Sequence, residues 1–374
     1  MKNMQLLREK EFKEREEKLK YAIKQKKVLR EKKQKNLNIT YVMTWTGVCG
    51  GTKIILEHAN RLTKMGNKIT LITHDNKPIW FNLDPNVEFI QVPWENVLCE
   101  KIPKETDVIV ATYWREIYEC VEQKIAPVIY FEQGDFHLFD TNKLDERTFN
   151  YINKQLKTIE DIYTVSSFAK KKLKDISNVD AKVIPNAVND KVFFYEEHKE
   201  NKKPIITIIG SEEIEFKRIQ NIIDAVKIIQ KKYNVELQWV TPTKPIKNKD
   251  IECLVNPPQI EIGNLLRKTD IYVCASIYES FCLPVLEAMT CGAAVVTTDN
   301  GGNRDFVRDN INALVVEKDN IKDLVEKIEK ILNDRELKNS LIKNGVEVSK
   351  QYSWDNVMSR IQNYYQEIAN YVVE

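Results

Sequence analysis

Apolar and polar positions alternate in blocks along most of the chain, and the block lengths predict strands followed by helices. The run Ile39-Thr40-Tyr41-Val42-Met43 is short, apolar and rich in β-branched and aromatic residues, the pattern of a buried strand. A glycine turn over 47–51, a helical segment with Ile55, Ala59 and Leu62 on one face, a stop at Gly66 and a second strand over 69–74 complete a β–α–β unit. Further strands are predicted at 108–110, 128–131 and 162–165. After a Lys-rich stretch near 188–203 the alternation restarts: a strand at 205–209, a helix over 217–232, and strands at 235–240, 271–275, 293–297 and 313–316. Helices are predicted over 321–333, 336–350 and 354–371. Strands that read as unbroken apolar runs, separated by helices, imply parallel sheets covered on both faces. The expected fold is α/β, with two facing, doubly wound Rossmann-like domains over 38–195 and 196–353 and a last helix, 354–374, crossing back to the first domain.

Residues 1–37 break this pattern. Positions 1–36 hold no Gly or Pro and are rich in Lys, Glu, Arg and Leu, so propensity predicts a long, mostly solvated helix. Its apolar positions keep no heptad, which argues against a coiled coil. The arm carries 14 Lys/Arg against 6 Glu, a charge of +8, so the rest of a chain of net +2 carries −6. Such a basic helical extension is either a solvated appendage or a surface that rests on anionic lipid. Nucleic acid is not expected as a partner, because no aromatic series is interleaved with the charge to stack bases.

With 43% hydrophobic and 30% charged residues the chain has material for two cores. Its longest apolar runs fall far short of the ~20 residues that cross a bilayer, and no signal peptide is visible. Seven scattered cysteines without a Cys-x-x-Cys pair indicate neither a zinc site nor a disulfide framework, and fit a reducing cytosol. A cytoplasmic protein, placed at the inner face of the membrane if the arm binds lipid, is the expectation.

The densest chemistry lies just after the strand at 271–275, in Tyr278-Glu279-Ser280-Phe281-Cys282-Leu283-Pro284-Val285-Leu286-Glu287-Ala288-Met289. Two carboxylates eight positions apart bracket a strand-to-helix turn. Pro284 suits a first helical turn, where its missing N–H costs nothing. The N–H groups of Phe281, Cys282 and Leu283 then open a helix, an anion site suited to phosphate. Glu287, one turn in, is placed to accept from ribose hydroxyls, and Glu279 to reach a sugar.

Glu279-x7-Glu287, followed by Cys291-Gly292, Val295-Val296 and Gly301-Gly302, resembles the donor-site signature of family 4 retaining glycosyltransferases, a resemblance that covers nearly all the chain after residue 38. It implies the GT-B fold, with Glu279 at the donor sugar, Glu287 at the ribose and the turn amides at the diphosphate. Gly210 and Lys217 resemble the family's glycine turn and phosphate-neutralising Lys, so Glu279 and Lys217 become the catalytic candidates. The family's usual Arg is Ser211 here: either Arg218 substitutes for it or one phosphate contact is missing. Gly50 and Gly51 resemble the N-terminal glycine loop, where backbone must approach a ligand closely. In Phe131-Glu132-Gln133-Gly134-Asp135-Phe136-His137, many relatives place a His, a position that His137, Glu132 or Gln133 could fill. The same stretch resembles enzymes of bacterial surface-polysaccharide assembly, including rhamnosyltransferase-like members.

The resemblance implies sugar transfer from a nucleoside diphosphate to a hydroxyl, with a glycan, lipid-linked or protein acceptor and no metal or further cofactor. The leaving phosphate itself would take the acceptor's proton, with Lys217 and the turn amides stabilising the charge. Two readings compete. A nicotinamide-dependent dehydrogenase would use Asp75 at the end of the second strand, but Gly47-x-x-Gly50-Gly51 does not match the dinucleotide fingerprint. A non-catalytic partner-binding protein with degenerate transferase domains fits Ser211 and Cys282, and is opposed by intact Glu279, Glu287 and Lys217.

Overall fold

The computed structural model describes residues 2–30, 36–197 and 201–374, and divides the chain into two compact units. Unit 1 comprises residues 1–165, 169–184 and 358–374; unit 2 comprises 166–168 and 185–357. The elements in chain order are α1 (Lys2–Lys18), β1 (Lys27–Leu29), β2 (Asn38–Val42), α2 (Gly50–Lys64), β3 (Lys68–Thr73), β4 (Glu88–Gln91), β5 (Val108–Ala111), α3 (Ile117–Glu122), β6 (Val128–Glu132), α4 (Phe136–Phe139), α5 (Glu146–Leu156), β7 (Asp161–Thr164), α6 (Ser167–Ser177) and β8 (Lys182–Val183). They continue with β9 (Ile205–Ile209), α7 (Ile219–Ile229), β10 (Glu236–Thr241), β11 (Cys253–Val255), α8 (Gln259–Leu266), β12 (Ile271–Cys274), α9 (Leu283–Thr290), β13 (Ala294–Thr298), β14 (Leu314–Val316), α10 (Ile321–Asn333), α11 (Arg335–Ser349), α12 (Trp354–Ile368) and β15 (Tyr371–Val373).

Unit 1 holds a seven-stranded parallel sheet in the order β4-β3-β2-β5-β6-β7-β8, and unit 2 a six-stranded parallel sheet in the order β11-β10-β9-β12-β13-β14. In each the chain starts near the middle, winds out to one edge, and returns to wind out to the other. The strand order therefore reverses between β2 and β5 in unit 1 and between β9 and β12 in unit 2. Crevices outside the carboxyl ends of strands at such reversals are where open α/β sheets bind ligands.

Several expectations differ from the structure. The chain leaves unit 1 at Ile184, before the expected boundary at 195, and Val188 is already hydrogen-bonded to Tyr352 of unit 2 (2.9 Å). Short strands β4, β8 and β11 extend the sheet edges where three or fewer apolar residues leave little periodicity to read. The helix expected from Lys217 is a 3-10 turn, Glu215–Lys217, followed by α7, because Arg218 between them is left-handed (φ 51°).

The N-terminal arm is the largest difference. Its helix ends at Lys18, and the chain runs on to β1, which pairs antiparallel with β15 at the far end of the sequence. The expectation of one long helix also covered residues 31–35, which lie outside the described residues. Most of the arm's described side chains are exposed, as expected, but a minority anchor it to the rest of unit 1. Leu19 and Phe12 join the core of unit 1, with Phe12 against Tyr151 (ring centroids 4.7 Å). Arg15 is 7% exposed and meets three acids: Glu119 (Nε–Oε2 2.8 Å), Glu11 (2.9 Å) and Glu116 (3.6 Å). Lys18 pairs with Glu122 (3.1 Å), Lys24 with Glu160 (2.6 Å), Lys27 with Asp161 and Arg30 with Asp107 (3.6 Å). Much of the arm's positive charge is thus matched by acids of unit 1.

The end of the chain also belongs to unit 1. Tyr365 on α12 joins a buried hydroxyl chain with Tyr41 of β2 (3.0 Å) and Tyr163 of β7 (2.8 Å). Burying three phenols is tolerable only because each hydroxyl finds a partner.

Candidate active site

In unit 2 the reversal point gathers residues from the ends of β9 and β12. Gly210 ends β9 at φ +154°, and its carbonyl accepts from Trp239 Nε1 (2.8 Å). The following 3-10 turn delivers Lys217, whose Nζ donates to Glu279 Oε1 (2.5 Å). Ser276 Oγ donates to the same oxygen (2.8 Å). The Lys217 and Glu279 side chains are 20% and 13% exposed, so the pair is shielded but open to a ligand. Burial works against the Lys217 charge, and Glu279 beside it more than compensates, holding the ammonium well above its ordinary range.

The turn after Glu279 is fixed from beneath. Glu279 N–H donates to Asn300 O (3.0 Å), and a Cβ on Gly302 would stand 2.5 Å from Glu279 O and 2.6 Å from Phe281 N. Only glycine lets the 301–302 backbone approach so closely. Phe281 is buried against Phe306 and Tyr352, with ring centroids 5.5 and 5.8 Å away. Cys282 caps α9 in the left-handed conformation, φ 70°, and Leu283 and Pro284 open the helix. The first N–H groups of a helix have no intrahelical acceptor, so this terminus offers donors beside the Lys217–Glu279 pair. Glu287 follows one turn on, partly exposed.

Cys274 and Cys282 face each other under this turn, Sγ to Sγ 3.8 Å. The contact with Cys282 pulls the Cys274 thiol down to about 7, against the effect of burial, while that same contact and burial push Cys282 up. No Cys-x-x-Cys spacing marks these two in the sequence; they meet because β12 runs directly into the turn before α9. Arg218, adjacent to Lys217, is turned to Asp319 (Nε–Oδ1 2.6 Å).

In unit 1 a cavity of ≈ 380 Å³ lies at the β2/β5 reversal. Gly51, Gln133, Trp45, Tyr113 and Asp135 are among its lining. Gly50 is the first residue of α2, and Gln133 Nε2 donates to Gly51 O (3.2 Å), tying the glycine loop to the end of β6. Tyr113 OH donates to Asp135 (3.0 Å), and Trp45 is 49% exposed. Trp45 and Tyr113 are not among the residues the sequence pattern singles out, although each lies within three residues of the end of β2 or β5, places where such sheets carry ligand contacts.

His137 lies behind this cavity rather than on the surface. It is 3% exposed, with Nε2 3.0 Å from Glu132 Oε2. Glu132 also accepts from Tyr130 OH (2.7 Å) and Gly134 N–H (2.7 Å). Burial opposes both charges, but each partner outweighs it, holding His137 above and Glu132 below its ordinary range. The buried pair shapes the 132–135 loop, which leaves Gln133 and Asp135 part-exposed along the cavity.

Residues 246–348 match the family model "Glycosyl transferases group 1". An uncharacterized glycosyltransferase of Methanocaldococcus jannaschii is 30% identical over 217 residues, 56% of this chain and 60% of the relative. The N,N'-diacetylbacillosaminyl-diphospho-undecaprenol α-1,3-N-acetylgalactosaminyltransferase of Campylobacter jejuni is 28% identical over 188 residues, 49% of this chain and 50% of the relative. The aligned part thus spans about half of each of these relatives. Among solved structures, the Anabaena protein HepE in complex with UDP and glucose superposes with a TM-score of 0.72 at 13% identity, covering 89% of this chain and 100% of that one. That likeness establishes the GT-B fold.

Proposed function

We infer that this GT-B glycosyltransferase moves a sugar from a nucleoside-diphosphate sugar to a hydroxyl acceptor in glycan assembly. The observation that carries the reading is the Lys217–Glu279 pair, held at the strand reversal of unit 2 beside the N-terminus of α9. Without a donor the two side chains neutralise each other. A diphosphate arriving at the helix terminus takes Lys217 as its counter-ion and frees Glu279 to accept from sugar hydroxyls. Glu287 takes the ribose. As the bond to the sugar breaks, negative charge grows on the diphosphate, where Lys217 and the α9 N–H groups are already aimed. The leaving phosphate accepts the acceptor's proton on the same face, which retains the anomeric configuration and asks for no metal. Arg218 adds a second phosphate contact only by leaving Asp319.

The acceptor belongs to the cavity of unit 1, where Trp45 offers a face for a sugar ring and Gln133 and Asp135 offer hydrogen bonds to hydroxyls. A lipid-linked acceptor is supported by the diphospho-undecaprenol in the Campylobacter relative's name. Among the described residues no helix is long and apolar enough to cross a membrane. The seven free cysteines fit a cytoplasmic setting.

A donor screen tests this reading: nucleoside diphosphate released from UDP-, dTDP- and GDP-sugars, by wild type and Glu287→Ala. Release from one donor class, cut at least ~10-fold in the variant by loss of a ribose contact, is expected. No release from any donor, with no thermal stabilisation by any nucleotide, would replace it with the non-catalytic partner-binding reading.

A role for the arm at an anionic membrane is supported by Tyr21, Ile23 and Leu29, exposed at 81%, 70% and 68%. Vesicles containing phosphatidylserine should retain the wild-type chain more than the double variant Tyr21→Ser, Ile23→Ser. Equal retention of the two removes the membrane from the proposal.

A further inference from the structure

Cys274 closes β12 and Cys282 caps α9, and the Glu279 carboxylate stands against both: one carboxylate oxygen and the two sulfurs all lie within 4.8 Å of one another. A tetrahedral ion held by two thiolates at ~2.3 Å spans a sulfur–sulfur edge of about 3.8 Å, and the observed separation is 3.8 Å. The thiols are therefore already spaced for an ion, whereas a disulfide at ~2.05 Å would require them to close by more than an ångström. The same three residues line a small cavity of ≈ 10 Å³ of free volume, about the room one water or small ion needs. Outer contacts are in place as well. Asn300 Nδ2 donates to Cys282 Sγ (3.3 Å), and Ser276 Oγ donates to Glu279 (2.8 Å). Hydrogen bonds of this kind orient ligands and support thiolate character.

We propose that Cys274, Cys282 and Glu279 form a binding site for a thiophilic divalent cation of the zinc class, whose occupation blocks the donor site. Two S–H bonds break, two metal–sulfur bonds form, and two protons pass to solvent; nothing is oxidised or reduced. The ion's two charges are matched by the two protons lost, so Lys217 and Glu279 still balance each other. Two sulfurs and one carboxylate select a soft or borderline ion over magnesium or calcium. Glu279 as a ligand can no longer release Lys217 to a phosphate and turn to a sugar, so the blocking effect, unlike the site itself, rests on the function proposed above.

The test begins with Co²⁺ as a spectroscopic stand-in, added to the reduced full chain. One equivalent should bring a thiolate-to-metal charge-transfer band and tetrahedral visible bands, both bleached by Zn²⁺. Cys282→Gly, which suits the φ of 70° and so keeps the fold, should bind at least ~100-fold more weakly, as loss of a direct ligand must exceed loss of an outer contact. Cys99→Ser, in the other close thiol pair (Cys99–Cys120, 3.5 Å), should bind as wild type does. Absent bands in the wild type, or bands that persist in Cys282→Gly, overturn the site. Donor turnover is then read with and without Zn²⁺, each protein against itself: a loss of at least ~10-fold in the wild type and none in Cys282→Gly is expected. Equal wild-type turnover at saturating Zn²⁺ overturns the block. Failure of every donor to turn over would instead sink the proposed function, and the cobalt spectrum alone would still decide the site.

Discussion

Replacing Arg15 with methionine is expected to cost unit 1 about 3–5 kcal/mol, the usual result of removing one partner from a buried ion-pair network. The guanidinium is 7% exposed, and the Glu116 and Glu119 that it meets are 2% and 5% exposed, so its loss leaves two carboxylates in the core without their cation. The effect should depend on pH. Burial pushes the Glu116 carboxyl up to about 7, with Arg15 pulling it back. A carboxyl whose folded pKa is raised favours the fold most when protonated, so its contribution is fullest below about 4.5 and declines as pH rises through about 7. Without Arg15 that folded value climbs further and the decline deepens. Thermal melts at pH 5 and pH 8 should therefore show the gap between wild type and Arg15→Met widening at pH 8. A loss below ~1 kcal/mol, equal at both values, would show that the arm is not anchored by these pairs.

Replacing Lys217 with alanine should lower donor turnover by about 10²–10³, the range for deleting one group aimed at charge that develops in the transition state. Lys217 carries the positive charge directly beside Glu279, and its nearest neighbour in sequence, Arg218, is committed to Asp319. Glu279 keeps its hydrogen bond from Ser276, so the turn before α9 should persist and the melting temperature should move far less than the rate. Arginine at this position should restore only part of the rate, since a planar fork does not replace a compact ammonium. Nucleoside diphosphate release, measured alongside near-UV circular dichroism, separates the two effects. Undiminished release from a folded Lys217→Ala protein would remove Lys217 from the chemistry.

The residues at the strand reversal of unit 2 were more legible in the sequence than those lining the cavity of unit 1. Glu279, Cys282, Pro284 and Glu287 are close along the chain, and a strand-to-helix turn has few ways to arrange them. The unit 1 cavity draws Trp45, Tyr113 and Gln133 from the ends of three strands, and no local spacing joins them. His137 shows the difference within one stretch. The stretch offers His137, Glu132 or Gln133 for one position, yet the single turn of α4 directs His137 inward to Glu132, and Gln133 is left lining the cavity.

The alternation of apolar strands and amphipathic helices, by itself, determined the two parallel sheets and the Glu279-to-Glu287 turn, because strand burial and helix periodicity are properties of neighbouring residues. Tertiary structure alone decided three things. Lys217 meets Glu279 across 62 positions, Arg15 meets Glu119 across 104, and β1 meets β15 from opposite ends of the chain. Each depends on the order in which strands are laid beside one another and on burial that only the closed core creates. A Lys, an Arg or a Glu reads as solvated until the fold places its counter-charge and excludes the water.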